Sequence, residues 1–144
     1  MRILCDTNVL ISGILFPNSI PGKVLRIISE RERLVLATYV IEELYRVFQR
    51  KFPDQTKHLE RYLENKEFEL VVTPSDLRQV DFPPIRDAKD EPVLASAILS
   101  GVDFLVTGDK DFATIEIDKP MILTPAAFLE LLKRWRIDYV KDEL

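Results

Sequence analysis

Carboxylates fall at several places in this chain where they can act together. Asp6 directly follows the apolar run 2–5 in Cys5-Asp6-Thr7-Asn8, and Asp109 follows the run 104–107 in Thr107-Gly108-Asp109-Lys110-Asp111. Glu42 and Glu43 stand early in one helical pattern, while Asp87, Asp90 and Glu91 surround the start of another. Ionised carboxylates that share a crevice raise one another's pKa unless a cation relieves them. Oxygen-only ligands select hard divalent ions such as Mg²⁺ or Mn²⁺, which bridge to phosphate oxygens, so the matching substrate is a phosphate ester. Where two such ions act, they lie about 3.5–4 Å apart and stabilise both the attacking and the leaving oxygen. Competing chemistries lack their residues. Cys5 is the only cysteine and His58 the only histidine, which excludes an internal disulfide, a thiolate zinc cluster and a multi-histidine site. Among Lys57, Glu60 and Arg61, His58 reads as a solvated helix residue.

Each acid alone also has a plain reading. Asp6 and Asp109 can cap the turns after their strands, and Asp90 can be an ordinary helix N-cap. Glu42 or Glu43 can pair with Arg46 for about 0.2–0.5 kcal/mol. Their convergence, not any single residue, points to a site.

That convergence requires strands whose ends lie side by side, because open parallel sheets collect functional groups just beyond their carboxyl ends. The segments 2–5, 34–37, 68–73, 104–107 and 121–123 are short and apolar, mostly without polar alternation, as expected for five strands covered on both faces. They alternate with helical patterns, which predicts an α/β fold with a mainly parallel sheet between helical layers. Thr38 is expected to cap a helix over 38–51, with Val40, Ile41, Leu44, Val47 and Phe48 as its apolar stripe. Asp54 is expected to cap another over 54–66. Asp90-Glu91-Pro92 opens a helix that Gly101 ends, and Thr124-Pro125 opens the last one. In that last helix Phe128, Leu131, Leu132 and Trp135 recur at core spacing. The stretch 74–89, with three prolines, reads as a loop holding a short helical turn.

With 144 residues, 47% hydrophobic and 31% charged, the chain suits one domain over 1–135 and a C-terminal tail over 136–144. Acidic groups number 24 and basic groups 20, a formal charge of -4, so nucleic acid cannot be held by bulk charge and any contact must be local. Arg46 and Arg50 lie three and seven residues beyond Glu43, on roughly one helix side, and can hold phosphates there; Lys51, Lys23 and Arg26 can extend the patch. No apolar run exceeds four residues, against the roughly 20 a membrane helix needs. Asp6 and Asn8 interrupt the middle of any export signal, so the final Lys141-Asp142-Glu143-Leu144 is read as a coincidental retention address and a cytoplasmic location is expected.

Taken together, Cys5-Asp6-Thr7-Asn8-Val9-Leu10, Ile41-Glu42-Glu43-Leu44 with Arg46-Val47, Asp87 to Asp90 before Val93-Leu94-Ala95-Ser96-Ala97, and Phe104-Leu105-Val106-Thr107-Gly108-Asp109-Lys110-Asp111-Phe112 resemble a PIN domain. The likeness spans roughly residues 1 to 130 and is closest to the prokaryotic, VapC-like branch assigned as toxins of toxin–antitoxin systems. It implies a three-layer α/β/α sandwich around a five-stranded sheet and a Mg²⁺- or Mn²⁺-dependent ribonuclease that acts on RNA, often as a homodimer, with an antitoxin as partner. By match to the family's acids, Asp6, Glu43, Asp90 and Asp109 would be catalytic and bind metal, with Asp111 assisting; Asp87 or Glu91 can share the place of Asp90. Thr7, Asn8 and Thr107 match polar positions that orient those acids. Two other readings stay open: a non-catalytic module of the same fold that binds RNA or protein, and a phosphohydrolase with Asp6 as nucleophile, which Asn8 disfavours by standing where its second acid belongs.

Overall fold

The structure is a computed structural model, and it describes residues 1–135; the tail expected at 136–144 lies outside the described residues. Strands β1 (Arg2–Cys5), β2 (Arg33–Ala37), β3 (Glu69–Val71), β4 (Phe104–Val106) and β5 (Met121–Leu123) form one sheet. Their order is β3-β2-β1-β4-β5, and every neighbouring pair is parallel. Ile3 sits opposite Leu34 on one side and Phe104 on the other. Consecutive residues of the three inner strands are buried, from Ile3 to Cys5, from Leu34 to Ala37 and from Phe104 to Val106. A strand buried on both faces needs no polar alternation, which is why these runs are purely apolar.

Helices α1 (Thr7–Leu15), α2 (Ile20–Arg31), α3 (Thr38–Lys51), α4 (Thr56–Asn65), α5 (Glu91–Ser100) and α6 (Pro125–Trp135) complete the α/β/α sandwich. None of the described helices is long and apolar enough to cross a membrane. The sequence pattern leaves α1 and α2 unassigned, because α1 is apolar on nearly every side and shows no amphipathic stripe. Its start is nevertheless well capped by Asp6, and Ser19 Oγ accepts the Gly22 N–H at the start of α2, where Pro21 fits the first turn. Gly22 has to be glycine, since a Cβ there would stand 2.3 Å from the Pro17 carbonyl oxygen. Gly101 ends α5 in the left-handed region at φ 66°, the conformation glycine adopts without steric cost.

Several expected boundaries move. Ala37, not Thr38, is the N-cap of α3, and Thr38 is already helical. Its Oγ1 instead accepts the Thr73 N–H at 3.0 Å, while the Tyr39 N–H donates to Thr73 Oγ1 at 3.1 Å. This exchange removes Thr73 from the ladder, so β3 is shorter than expected and satisfies one free donor of the α3 first turn. Asp54 caps nothing: Pro53–Gln55 forms a single tight turn, and α4 begins at Thr56. In α6 the buried stripe is Phe128, Leu129 and Leu132, whereas Trp135 is 58% exposed and only touches Phe104, ring centroid to centroid 6.5 Å. Thr124 does cap this helix, its Oγ1 accepting the Ala127 N–H.

Candidate functional site

From β1 the chain leads to β2 on one side, and from β4 it leads to β5 on the other, so the carboxyl ends of β1 and β4 flank the point where strand order reverses. Crevices at such a point are where open α/β sheets bind ligands. Here a cavity of about 330 Å³ is lined by Asp6, Glu43, Asp87, Asp90 and Asp109, with Arg50, Lys51 and Lys89 on its walls.

Backbone geometry fixes Asp6 first. Its own N–H donates to the Val106 carbonyl at 2.9 Å, carrying the β1–β4 pairing one residue past the strand. The side chain is 5% exposed. Its Oδ1 accepts the Thr7 N–H at 2.8 Å and its Oδ2 accepts Thr107 Oγ1 at 2.7 Å. Thr107 Oγ1 in turn accepts the Asp109 N–H at 3.1 Å, so one hydroxyl fixes the acids of both strands. On the other side Thr7 Oγ1 donates to Glu43 Oε1. Asp109 Oδ1 accepts the Asp111 N–H at 2.9 Å. Asp6 and Asp109 are therefore caps as well as cavity-lining acids, because a carboxylate has lone pairs for both.

Asp90 occupies the N-cap position of α5 but does not cap it with its side chain. Its Oδ2 is buried and has no hydrogen-bond partner among the described residues. Burial, the charge of Asp109 and a hydrogen bond shared with Asp109 push its carboxyl up to about 7, with Asp6 and Asp87 adding to the rise. Burial also raises Asp6; the Thr107 and Thr7 hydrogen bonds oppose that rise, and the charges of Glu43 and Asp109 reinforce it. Like charges crowd this rim, an arrangement that a cation would relieve. One carboxylate oxygen each from Asp87, Asp90 and Asp111 lie within 4.8 Å of one another. An all-oxygen donor set with a buried unpaired oxygen fits a hard divalent ion.

The expected residues are not all equivalent. Glu43 lines the cavity while Glu42 is exposed outside it, and Asp87, not Glu91, lies beside Asp90. Asp111 is half-buried and pairs with Arg86 Nε at 3.0 Å. Asn8 lies exposed at the cavity rim and makes no hydrogen bond to the acids among the described residues, so it does not orient them as Thr7 and Thr107 do. Arg50 and Lys51 line the cavity; Arg46 lies one turn away, over the Tyr39 ring. Arg26 belongs to a separate recess of about 210 Å³ with Tyr62 and His58, and does not extend the patch. Lys89 and Arg86 escaped the sequence reading, although their alternation with acids in Arg86-Asp87-Ala88-Lys89-Asp90 is a visible signal.

Compared with known families, residues 2–111 match the PIN domain. An uncharacterized protein of Methanocaldococcus jannaschii is 27% identical, with 94% of each chain covered. Among solved structures, the crystal structure of VapBC2 from Rickettsia felis bound to a DNA fragment from their promoter is similar in fold. Its TM-score is 0.63 at 17% identity, covering 85% of this chain and 97% of that one.

Proposed function

The chain belongs to the PIN domain family, and from that premise we propose that it is a divalent-metal-dependent endoribonuclease, the toxin of a toxin–antitoxin pair. The observation that carries this reading is the buried, unpartnered Asp90 Oδ2 in a rim of like-charged carboxylates with cationic walls. Asp6, Asp90 and Asp109 would hold a Mg²⁺ or Mn²⁺ ion, with Asp111 and Asp87 on the Asp90 side. Glu43 would bind a second ion or orient the attacking water. When bound, the ion lowers the pKa of water and neutralises charge on the phosphate.

The remaining chemistry belongs to the chain. Thr107 and Thr7 occupy one lone pair on each of Asp6 and Glu43 and fix where the free oxygens point. Arg50, Lys51 and Lys89 draw the phosphodiester toward the acids and offset their repulsion of it. The similarity in fold to the R. felis complex supports an antitoxin as partner; the family likeness supports a homodimer, and the single cysteine supports a reducing, cytoplasmic setting.

Cleavage of labelled RNAs by wild type and by Asp6→Asn, with Mn²⁺, Mg²⁺ or chelator, tests the reading once circular dichroism shows that both fold. Metal-dependent cutting by the wild type alone is expected. Equal cutting by both proteins, or cutting that survives chelation, would refute it.

A further inference from the structure

Helix α3 presents Tyr39, Glu43, Arg46 and Arg50 at steps of three and four residues, so one helix face runs from the aromatic ring past the acid to the cavity wall. Tyr39 is half-buried at the start of that face, and Arg46 is exposed. The Arg46 guanidinium carbon lies 5.8 Å from the Tyr39 ring centroid. Arg46 forms no ion pair with a described carboxylate, although Glu42 and Glu43 are one turn away. Tyr39 OH donates to the Lys89 carbonyl at 3.3 Å, tying the ring to the turn that carries Asp87 and Asp90. Burial and then the charge of Glu43 raise the phenol, the Arg46 charge opposes that rise, and Asp90 and Asp6 add to it.

The Arg46 guanidinium lies over the Tyr39 ring on its inner side and is exposed to solvent on its outer side, where its plane can meet another ring. Cationic groups for the phosphate are already supplied within the cavity by Arg50, Lys51 and Lys89. We propose that Arg46, backed by Tyr39, is a stacking platform for the nucleobase next to the scissile phosphate, and that this platform makes the enzyme require an unpaired base there. The proposal rests on the ribonuclease reading above. Arg46 is a specificity-determining residue in this account, and Tyr39 is a positioning residue that acts through it. A recess of about 330 Å³ is at the small end for ligand pockets and admits a strand with its base turned out more readily than a paired helix.

Stacking and charge are separable, because lysine keeps the charge of arginine and loses its plane. The experiment measures kcat and KM on a short RNA cleaved at one position, on the same RNA with an abasic residue beside that position, and on its duplex. Binding of the uncleaved strand to metal-free protein is followed by fluorescence anisotropy. Loss of one stacked base costs roughly tenfold in affinity. For wild type, the abasic strand should therefore show KM raised about tenfold with kcat little changed, and the duplex should be cut poorly. Arg46→Lys should raise KM about tenfold on the intact strand and erase the difference between intact and abasic RNA. Tyr39→Phe keeps the ring beneath Arg46 and should retain the preference for intact over abasic RNA, whereas Tyr39→Leu should lose it as a weaker form of Arg46→Lys. Arg46→Lys is exposed and carries the test even if Tyr39→Leu folds poorly. Wild-type discrimination in Arg46→Lys, or equal cutting of abasic and intact strands by wild type, would overturn the platform while leaving the nuclease intact. Absence of cleavage together with base-dependent, Arg46-dependent binding would refute the nuclease and sustain the platform.

Discussion

Proton and metal should compete for Asp90, and the competition has a predictable size. With the Asp90 carboxyl at about 7, an ion that needs it ionised binds with an apparent dissociation constant raised by the factor 1 + 10^(pKa − pH). That factor is about 11 at pH 6 and about 1.1 at pH 8, so Mn²⁺ should bind roughly tenfold more tightly at pH 8. Asp6 is raised in the same direction and can only steepen the trend. Titration calorimetry in buffers of different ionisation heat should show close to one proton released per ion at pH 6 and almost none at pH 8. Asp90→Asn should weaken binding and remove most of the pH dependence. Affinity that is level between pH 6 and 8, or a slope that Asp90→Asn leaves intact, would refute the reasoning.

The same shift has a consequence for the metal-free fold. Asp90 is protonated in both states below about pH 4, so it costs nothing there. Between about 4 and 7 the unfolded chain gives up the proton first, and stability falls as pH rises, levelling off above the folded pKa. The melting temperature of metal-free protein should fall by a few degrees from pH 4.5 to 8 through this site, and Mn²⁺ at a hundredfold above its dissociation constant should restore about 2.7 kcal/mol.

Three further substitutions test the supporting framework. Thr107→Val removes the donor to Asp6 Oδ2 and the acceptor of the Asp109 N–H; it should cost about 1–3 kcal/mol in urea unfolding and about 10- to 100-fold in Mn²⁺ affinity. Gly22→Ala puts a Cβ 2.3 Å from the Pro17 oxygen and should cost about 1–3 kcal/mol, read as a lower urea midpoint with unchanged slope. At Gly101, where φ is 66° and no atom lies within 4 Å of an added Cβ, Ala should cost only about 1–2 kcal/mol, all of it backbone strain.

The two rims of the sheet differ in how they treat charge, and that difference explains how much of the molecule could be read from its sequence. At the amino ends opposite charges meet: the Met1 amine bonds Glu32 at 2.7 Å, and Arg2 bonds Glu69 and the Ser100 carbonyl. At the carboxyl ends Asp6, Glu43, Asp87, Asp90 and Asp109 crowd one cavity. Local signals sufficed for the strands, because a short apolar run flanked by turn residues has few other stable uses, and for placing Asp6 and Asp109 at one rim, because each lies just past the end of its strand. They failed where a neighbour decides. Thr38 looks like a cap until Thr73 from the end of β3 takes its oxygen. Trp135 fits a core spacing, yet that position of the last turn reaches past the buried surface. Tyr39 carries no motif at all, and its place emerges only when α3 sets its ring beneath Arg46 and beside the turn of Asp90. Folding alone would pair or neutralise the charges at both rims. A fold that pairs them at one rim and crowds carboxylates at the other gives up stability there, which on the proposed reading a bound divalent cation would recover.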